Sequence, residues 1–215
     1  MSTTRQRWSD LAEELGLTFK PGVRGMLESK LADRIARQQG QDPDQLAAVM
    51  NNGLLMAVLD KVFLGVAIGN YRDYALYVYR NNRSTSSPSS NSYSVHVQLF
   101  FPKPAELGLS IYRERFWSKV GKFLGAQDIQ SGNAELDPLV MIKAQDEGRA
   151  RRMMEEPDLQ LALLDLFRHS DNFEVDDNGI EHRTHGTQFL KAPVVRDLAD
   201  RMVDAAEAIR PVLCI

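Results

Sequence analysis

The strongest constraint on the fold is a segment in which apolar and polar residues alternate, from Tyr93 to Phe101. A period of two is typical of a β-strand with one buried face, and it leaves Ser94, His96 and Gln98 on a second, more polar face. Three further segments have the aromatic and β-branched composition of strands: Val62 to Ile68, Tyr74 to Arg80 and Leu109 to Arg115. Short, turn-rich links between such segments predict an antiparallel meander.

Helical periodicity precedes these strands. Thr3 or Thr4 can cap a first helix whose apolar residues share one face, and Gly16 is well placed to end it. These apolar residues are Trp8, Leu11, Ala12 and Leu15. A further helical segment, about residues 22–61, contains a clear helix start at Asp42, where Gln45 completes a capping box. We therefore predict amphipathic helices that cover the sheet.

The second half of the chain predicts a strand, two helices, a hairpin and a final helix. The strand is Leu139 to Lys143, and the helices are Asp146 to Met154, Pro157 to Phe167 and Pro193 to Ile209. The second of these helices has too many apolar residues for a one-sided surface helix, so we expect it deep in the core. The whole pattern predicts a single α+β domain over residues 1–215, with a mobile Ser-rich surface loop at about 81–91.

The hairpin is expected around Asn178 and Gly179, a dipeptide favoured in two-residue type I′ turns. With these two residues as the turn, Val175 faces His182, Phe173 faces Thr184, and Glu174 faces Arg183 as an ion pair. A three-residue loop would instead pair Val175 with Glu181.

Composition argues against several classes of function. The chain has 26 Lys and Arg against 29 Asp and Glu, so its formal net charge is -3 and it lacks the excess positive charge expected for nucleic-acid binding. Cys214 is the only cysteine, which excludes an intrachain disulfide and suits the reducing cytoplasm. The N-terminal residues lack the apolar run of a signal peptide, and the most apolar window, Leu54 to Ile68, contains Asp60 and Lys61. We therefore expect a cytoplasmic protein with no membrane span.

Five polar residues are candidates for a functional site: Asp128, Gln130, Asp137, His96 and His182. Asp128 and Asp137 flank a glycine-containing turn, and paired carboxylates can act as acid and base when their pKa values differ. The structural alternative is that the short Asp128 side chain binds backbone amides in the turn, while Asp137, before Pro138, suits a strand entrance. No familiar catalytic set is completed near them, so we predict no catalytic residues and no cofactor.

His182 and His185 have a spacing that can bind a metal ion on a helix. Residues three apart on a strand point to opposite faces, so we predict no metal site here. The alternative is a half-buried His182 with a hydrogen bond, beside a solvent-facing His185.

A basic cluster, Arg149, Arg151 and Arg152, lies among three glutamates on a predicted helix. A solvated helix face is the favoured interpretation, and an anion site is the alternative.

Two motifs carry a resemblance to a known family. Trp8 to Thr18 has the pattern W-x-x-L-A-x-E-L-G-L-T, and Gly125 to Gly132 has the pattern G-x-Q-D-I-Q-x-G. Together with F-P-x-P-x-x-L-G-L-S at Phe101 to Ser110, they make the chain resemble a family of uncharacterised bacterial proteins, a domain of unknown function. The resemblance covers the opening helix and most of the chain from about Tyr74 to Ile209, and it supplies no catalytic residues. The segment from about Val23 to Asp60 is longer than this resemblance implies, which makes it a candidate lid or partner-binding hairpin.

These observations favour a cytoplasmic, non-enzymatic protein-interaction or regulatory domain. The alternative is a small-molecule-binding protein or an unconventional enzyme with a pocket between sheet and helices. A third hypothesis is self-association through an exposed apolar helix face.

Overall fold

A computed structural model describes residues 4–22, 63–82, 93–113, 129–185 and 191–213. Almost all of the predicted helical segment at 22–61 lies outside these residues. So do Asp128 and the Ser-rich loop from residue 83 onward.

Helices and strands follow the predicted order. The described helices are α1 (Thr4–Glu14), α2 (Glu147–Met154), α3 (Pro157–His169) and α4 (Ala192–Leu213). The strands of the first half are β1 (Thr18–Pro21), β2 (Phe63–Tyr71), β3 (Tyr74–Asn82) and β4 (Tyr93–Phe100). Those of the second half are β5 (Ser110–Tyr112), β6 (Met141–Lys143), β7 (Phe173–Asp176) and β8 (Gly179–His185).

The eight strands form one antiparallel sheet in the order β1-β2-β3-β4-β8-β7-β5-β6. The first four strands are neighbours in chain order, which is a meander, and the second half has the predicted strand, two helices, hairpin and final helix. The α+β class and an antiparallel meander through β2, β3 and β4 are therefore confirmed, but β5, the last strand of the predicted meander, lies between β7 and β6 and not beside β4. β3 continues through Asn82, so it includes the first residues of the predicted Ser-rich loop.

Two compact units are distinguished along the chain. Unit 1 comprises Met1–Tyr71, Leu76–Val97 and Thr184–Val195, and unit 2 comprises Arg72–Ala75, Gln98–Arg183 and Arg196–Ile215. The single domain expected from the sequence stays a prediction.

In unit 1, α1 packs on β1 and β2. Its buried face is the predicted one, with Trp8, Leu11 and Ala12 each no more than 3% exposed. Gly16 follows the helix with φ of 69°, the left-handed conformation that glycine adopts without a steric penalty. The amphipathic pattern and its terminating glycine therefore define this helix as expected.

The predicted polar face of β4 is buried as well. Ser94, His96 and Gln98 are 4%, 8% and 1% exposed, so both faces of this strand are covered. A short hydrogen bond of 2.7 Å between Ser94 Oγ and His96 Nε2 gives two of these side chains a polar partner. Alternation correctly separated the faces, but it did not indicate which face meets solvent.

In unit 2, α2 and α3 begin where the sequence indicates. The carboxylate of Asp146 caps α2 by accepting a 3.0 Å hydrogen bond from the backbone N–H of Arg149, and Pro157 occupies the first turn of α3. The expectation that α3 lies deep in the core is wrong for one side. Leu161 is 61% exposed, because the core-facing leucines follow helical spacing from Leu159 and Leu161 projects away from them.

The predicted hairpin register is wrong. The two turn residues are Asp177 and Asn178, and the pairs are Phe173 with His182, Glu174 with Glu181, and Val175 with Ile180. The three-residue alternative is wrong for the same reason.

Two contacts explain the observed turn. The Asp176 carboxylate accepts hydrogen bonds from the backbone N–H groups of Asn178 and Gly179, at 2.7 and 3.1 Å. Gly179 is the first residue of β8, and a Cβ atom there would lie 2.0 Å from the carbonyl oxygen of Leu99. The glycine is thus needed for a close approach between strands and not for the turn.

Candidate functional site

The cavity that stands out in unit 2 has a volume of about 510 Å³. It is lined by the start of β3, the loop after β4, and one face each of α2 and α4. The lining residues are Tyr74, Phe101, Pro102, Lys103, Pro104, Ala105, Glu106, Arg149, Ala206 and Arg210. Tyr74, Phe101, Ala105 and Ala206 are buried and form its floor, whereas the prolines and the charged residues are half-buried or exposed and form its rim.

The loop from Phe101 to Leu109 is held in place by the hairpin turn. The carboxylate of Asp177 accepts hydrogen bonds from three successive backbone N–H groups, those of Leu107 (3.1 Å), Gly108 (2.8 Å) and Leu109 (2.9 Å). A carboxylate that receives several N–H groups makes stronger hydrogen bonds than a neutral acceptor. One side chain therefore determines the path of this loop.

Backbone contacts complete the support. Phe101 N–H donates to the carbonyl of Asn178 (2.8 Å), and Ala105 N–H donates to that of Asp177 (2.7 Å). At its far end the carbonyl of Leu107 accepts from the N–H groups of Gln145 and Asp146, at 2.8 and 3.0 Å. The cavity wall is therefore built on the hairpin and the start of α2.

Glu106 has an unusual backbone conformation on this wall. Its φ is 54°, which is uncommon for a residue with a side chain. Such conformations persist where surrounding contacts impose them, and they concentrate at functional sites. Here the hydrogen bonds of Ala105 and Leu107 flank the strained residue and keep its side chain at the rim.

Tyr74 places a polar atom in the floor. The residue is 1% exposed, and its buried hydroxyl has no hydrogen-bond partner in the described part of the chain. Burial raises the pKa of this hydroxyl, the positive charge of Arg210 opposes that effect, and Glu207 and Asp73 add to it. The hydroxyl is therefore neutral at physiological pH and can act as a hydrogen-bond donor.

Among the lining residues that the structure describes, Lys103, Arg149 and Arg210 are cations at the rim and Glu106 is a carboxylate. None of these four side chains forms an ion pair with another residue that the structure describes. Arg151, two residues after Arg149 on α2, instead pairs with Glu147 at 3.3 Å on the surface. The solvated helix face predicted for the basic cluster thus describes Arg151, while Arg149 lines the cavity.

The histidines predicted from the sequence as candidate site residues make different contacts. In unit 1, His96 stacks on Tyr79 with ring centroids 4.7 Å apart, in addition to its contact with Ser94. In unit 2, His182 is 5% exposed, with Nε2 3.1 Å from Ser170 Oγ and its ring against Phe173. His182 therefore has the predicted hydrogen bond, but it is fully rather than half buried.

In the turn before β6, side-chain hydrogen bonds hold the backbone. Asp137 accepts hydrogen bonds from the backbone N–H and the hydroxyl of Ser131, at 2.7 and 2.6 Å, and Gln130 is exposed. A carboxylate therefore holds this turn, but it belongs to Asp137, which was expected at a strand entrance, and not to Asp128, which was expected to bind the turn amides. Asp128 lies outside the described residues, and the other four candidates are not among the residues that line the cavity.

Two further properties concern the described ranges only. No group of three or more His, Cys, Asp or Glu side chains there is arranged to hold a metal ion. Nor does any helix there combine the length and apolar character needed to cross a membrane.

Residue patterns alone did not identify Tyr74 or Arg210 as site residues. Two segments noted in the sequence do contribute to the cavity: the F-P-x-P-x-x-L-G-L-S motif forms its wall, and the basic cluster contains Arg149. Neither pattern shows that the two segments share one cavity.

Comparisons with known proteins give a fold likeness. No protein-family model and no curated protein matches the chain. Among solved structures, the chain is similar to the crystal structure of the mycobacterial trehalose monomycolate transport factor A, TtfA, with a TM-score of 0.50 and 12% sequence identity. That similarity covers 97% of this chain and 93% of TtfA.

Proposed function

We propose that this protein is a non-enzymatic binding protein whose small-molecule ligand occupies the cavity in unit 2. The observation that carries the proposal is the Tyr74 hydroxyl, buried without a described partner in the floor of a cavity of about 510 Å³. Ligand sites typically have volumes of about 300–1,000 Å³ and combine an apolar lining with a few polar groups. A buried hydroxyl that lacks a partner is costly, and a ligand acceptor would remove that cost.

Binding is favoured over catalysis by the chemistry of the lining. The lining residues within the described ranges include no His, Cys, Ser or Thr, which are the groups most often paired as nucleophile and general base. Tyr74, Lys103 and Glu106 can donate or accept hydrogen bonds, which is sufficient to orient a ligand.

The fold likeness to TtfA supports the architecture and does not identify a ligand. At 12% identity, the transport role in the name of that protein is not carried over to this cavity. The expected location in the cytoplasm remains part of the proposal and is supported by the presence of one cysteine, Cys214, in the sequence.

The protein-interaction role expected from the sequence stays a prediction. Leu161, which is 61% exposed on α3, is the largest exposed apolar side chain in the described part of unit 2. Single apolar residues on a surface are normal, so Leu161 does not by itself indicate a partner or self-association. The cavity therefore provides the stronger argument.

A thermal-shift screen of common metabolites against two matched variants tests the proposal. Ala206→Phe introduces a ring into the cavity from α4, because Ala206 is 1% exposed and lines it. Ala208→Phe on the same helix is the control, because Ala208 is half-buried and does not line the cavity. A ligand at a hundred times its Kd should stabilise the native protein and the control by about 2.7 kcal/mol.

The expected result is a shift in the native protein and in Ala208→Phe that is lost in Ala206→Phe. A shift that persists in folded Ala206→Phe would place the ligand elsewhere and refute the proposal, as would a screen without any shift. If Ala206→Phe does not fold, Ala206→Leu provides a smaller obstruction, and the thermal shift should again be lost.

A further inference from the structure

The charges at the rim of the cavity indicate the class of its ligand, an inference that rests on the proposed function. Among the described lining residues, Lys103, Arg149 and Arg210 outnumber Glu106, and none of the four is neutralised by an ion pair with a described residue. Cations beside a low-dielectric wall attract an anion more strongly than cations in open water do. The rim therefore favours a negatively charged group.

The floor adds a neutral donor close to one of these cations. Arg210 is near enough to Tyr74 for its charge to act on the pKa of the phenol, although burial has the larger effect. The carboxylates of Glu207 and Asp73 act on the same hydroxyl in the opposite direction to Arg210. A ligand oxygen that accepts from the hydroxyl would therefore lie within the influence of the Arg210 guanidinium and of these two carboxylates.

The other lining residues that the structure describes are apolar. Phe101, Ala105 and Ala206 are 9%, 3% and 1% exposed, and two prolines of the same loop join them in the lining. A fully polar ligand would lose hydration against these groups without compensation. An apolar portion of a ligand would instead gain from the contact.

We propose that the ligand is a small organic anion with an apolar body. Its charged group lies between Arg149 and Arg210 and accepts a hydrogen bond from the hydroxyl of Tyr74. Its apolar body contacts Phe101 and Ala206. Tyr74, Arg149 and Arg210 are thus binding residues that determine specificity for charge.

Three probes of one shape separate charge from apolar contact: 4-phenylbutyrate, 4-phenylbutan-1-ol and 4-phenylbutylamine. Their affinities are measured by calorimetry, and amide NMR shifts of Lys103, Ala105 and Glu106 report whether each probe occupies the cavity. We expect the carboxylate to bind at least about tenfold more tightly than the alcohol and the amine, since a charge-assisted hydrogen bond contributes about that factor.

Variants then assign the preference to residues. Arg149→Gln and Tyr74→Phe should each weaken carboxylate binding, by about tenfold for the arginine, and change alcohol binding by less. Arg151→Gln is the matched control, because Arg151 lies on the same helix but pairs with Glu147 on the surface.

Each other outcome overturns the inference in a recognisable way. Equal affinities of alcohol and carboxylate, with shifts in the cavity amides, would refute the anion class and leave the proposed function intact. Equal losses in Arg149→Gln and Arg151→Gln would refute the role of Arg149. Failure of all three probes to bind would refute the assigned class, whereas the proposed function would still be decided by the Ala206 variants in the wider screen.

Discussion

The backbone N–H of Gly108 donates to Oδ2 of Asp177 across 2.8 Å, which joins the cavity loop to the hairpin turn. Leu107 and Leu109 donate to the other carboxylate oxygen, so three consecutive amides depend on one side chain. Loops are generally the less stable parts of a fold, and a functional loop needs such support. The hairpin thus shapes the cavity without contributing a residue to its lining.

Removing this carboxylate should loosen the loop. We expect Asp177→Ala to reduce the free energy of unfolding by about 2–3 kcal/mol, because several hydrogen bonds to a charged acceptor are lost together. Urea denaturation measures this change, and hydrogen exchange of the amides of residues 107–109 shows whether it is local. Glu13→Ala, an exposed change on α1, is the control and should alter stability by less than about 0.5 kcal/mol. Unchanged amide protection in Asp177→Ala would show that the loop does not depend on this contact.

Gly179 provides a second test, because its lack of a side chain permits the approach of Leu99. Gly179→Ala would place Cβ 2.0 Å from the carbonyl oxygen of Leu99, so the strands must separate, and we expect a loss of about 3 kcal/mol. Gly132→Ala is the matched control, since Gly132 has φ of 76° and no atom within 4 Å of the added Cβ. Its cost should be only the conformational one, about 1 kcal/mol. Similar denaturation midpoints for the two variants would contradict the close-approach explanation.

Local patterns predicted the helices well because the residues that start a helix and define its buried face lie within the helix itself or next to it. Asp146 and Pro157 mark starts, and the apolar spacing from Leu159 indicates the buried face of α3. The hairpin register was not predictable in the same way. Asn178 and Gly179 suggest a turn by themselves, but the position of Gly179 is determined by Leu99, which is distant in the sequence.

The cavity was harder still to predict, because its residues come from four separate segments. Tyr74 follows a strand pattern, Arg149 follows a solvated-helix pattern, and Arg210 lies near the end of a surface helix. Nothing in the spacing of these residues indicates that they share a cavity. By contrast, Asp137 and His182 were candidates because of their residue type, and each side chain forms a hydrogen bond with a serine. Residue type identified groups capable of chemistry, while tertiary structure decided which of them meet.

Arg183 links two carboxylates of the hairpin and yields a third prediction. Its guanidinium lies 2.6 Å from Glu181 and 3.0 Å from Glu174, and the Glu181 side chain is only 3% exposed. Arg183→Met should cost about 3 kcal/mol, because a buried carboxylate loses a cationic partner. Glu174→Gln should cost less than about 1 kcal/mol, since that carboxylate is 39% exposed.

A double variant distinguishes pairing from packing. If the cost of Arg183→Met comes from the unpaired charge, then Arg183→Met combined with Glu181→Gln should recover part of it. Denaturation of the four proteins of the cycle measures the coupling energy. Strict additivity would show that Arg183 contributes through packing and not through its charge.

Tyr74 should destabilise the ligand-free protein. We expect Tyr74→Phe to raise the free energy of unfolding by about 1 kcal/mol at neutral pH, because the change removes a buried hydroxyl that has no described partner. A loss of stability in Tyr74→Phe would imply that the hydroxyl is satisfied in solution.

The titration of Tyr74 gives the last prediction. Burial raises the pKa of its hydroxyl, Arg210 lowers it, and Glu207 and Asp73 raise it, with the net change upward from 10.0. Below pH 10 the folded and unfolded chains both keep the proton, whereas above it the unfolded chain loses the proton first. Unfolding therefore releases a proton in that window, and stability should fall as the pH rises from about 10 through the raised pKa. Denaturation of the native protein and Tyr74→Phe between pH 8 and about 11 isolates this contribution. The two stability curves should be parallel below pH 10 and diverge above it in favour of the variant, and curves that stay parallel would show that the folded protein does not shift this pKa.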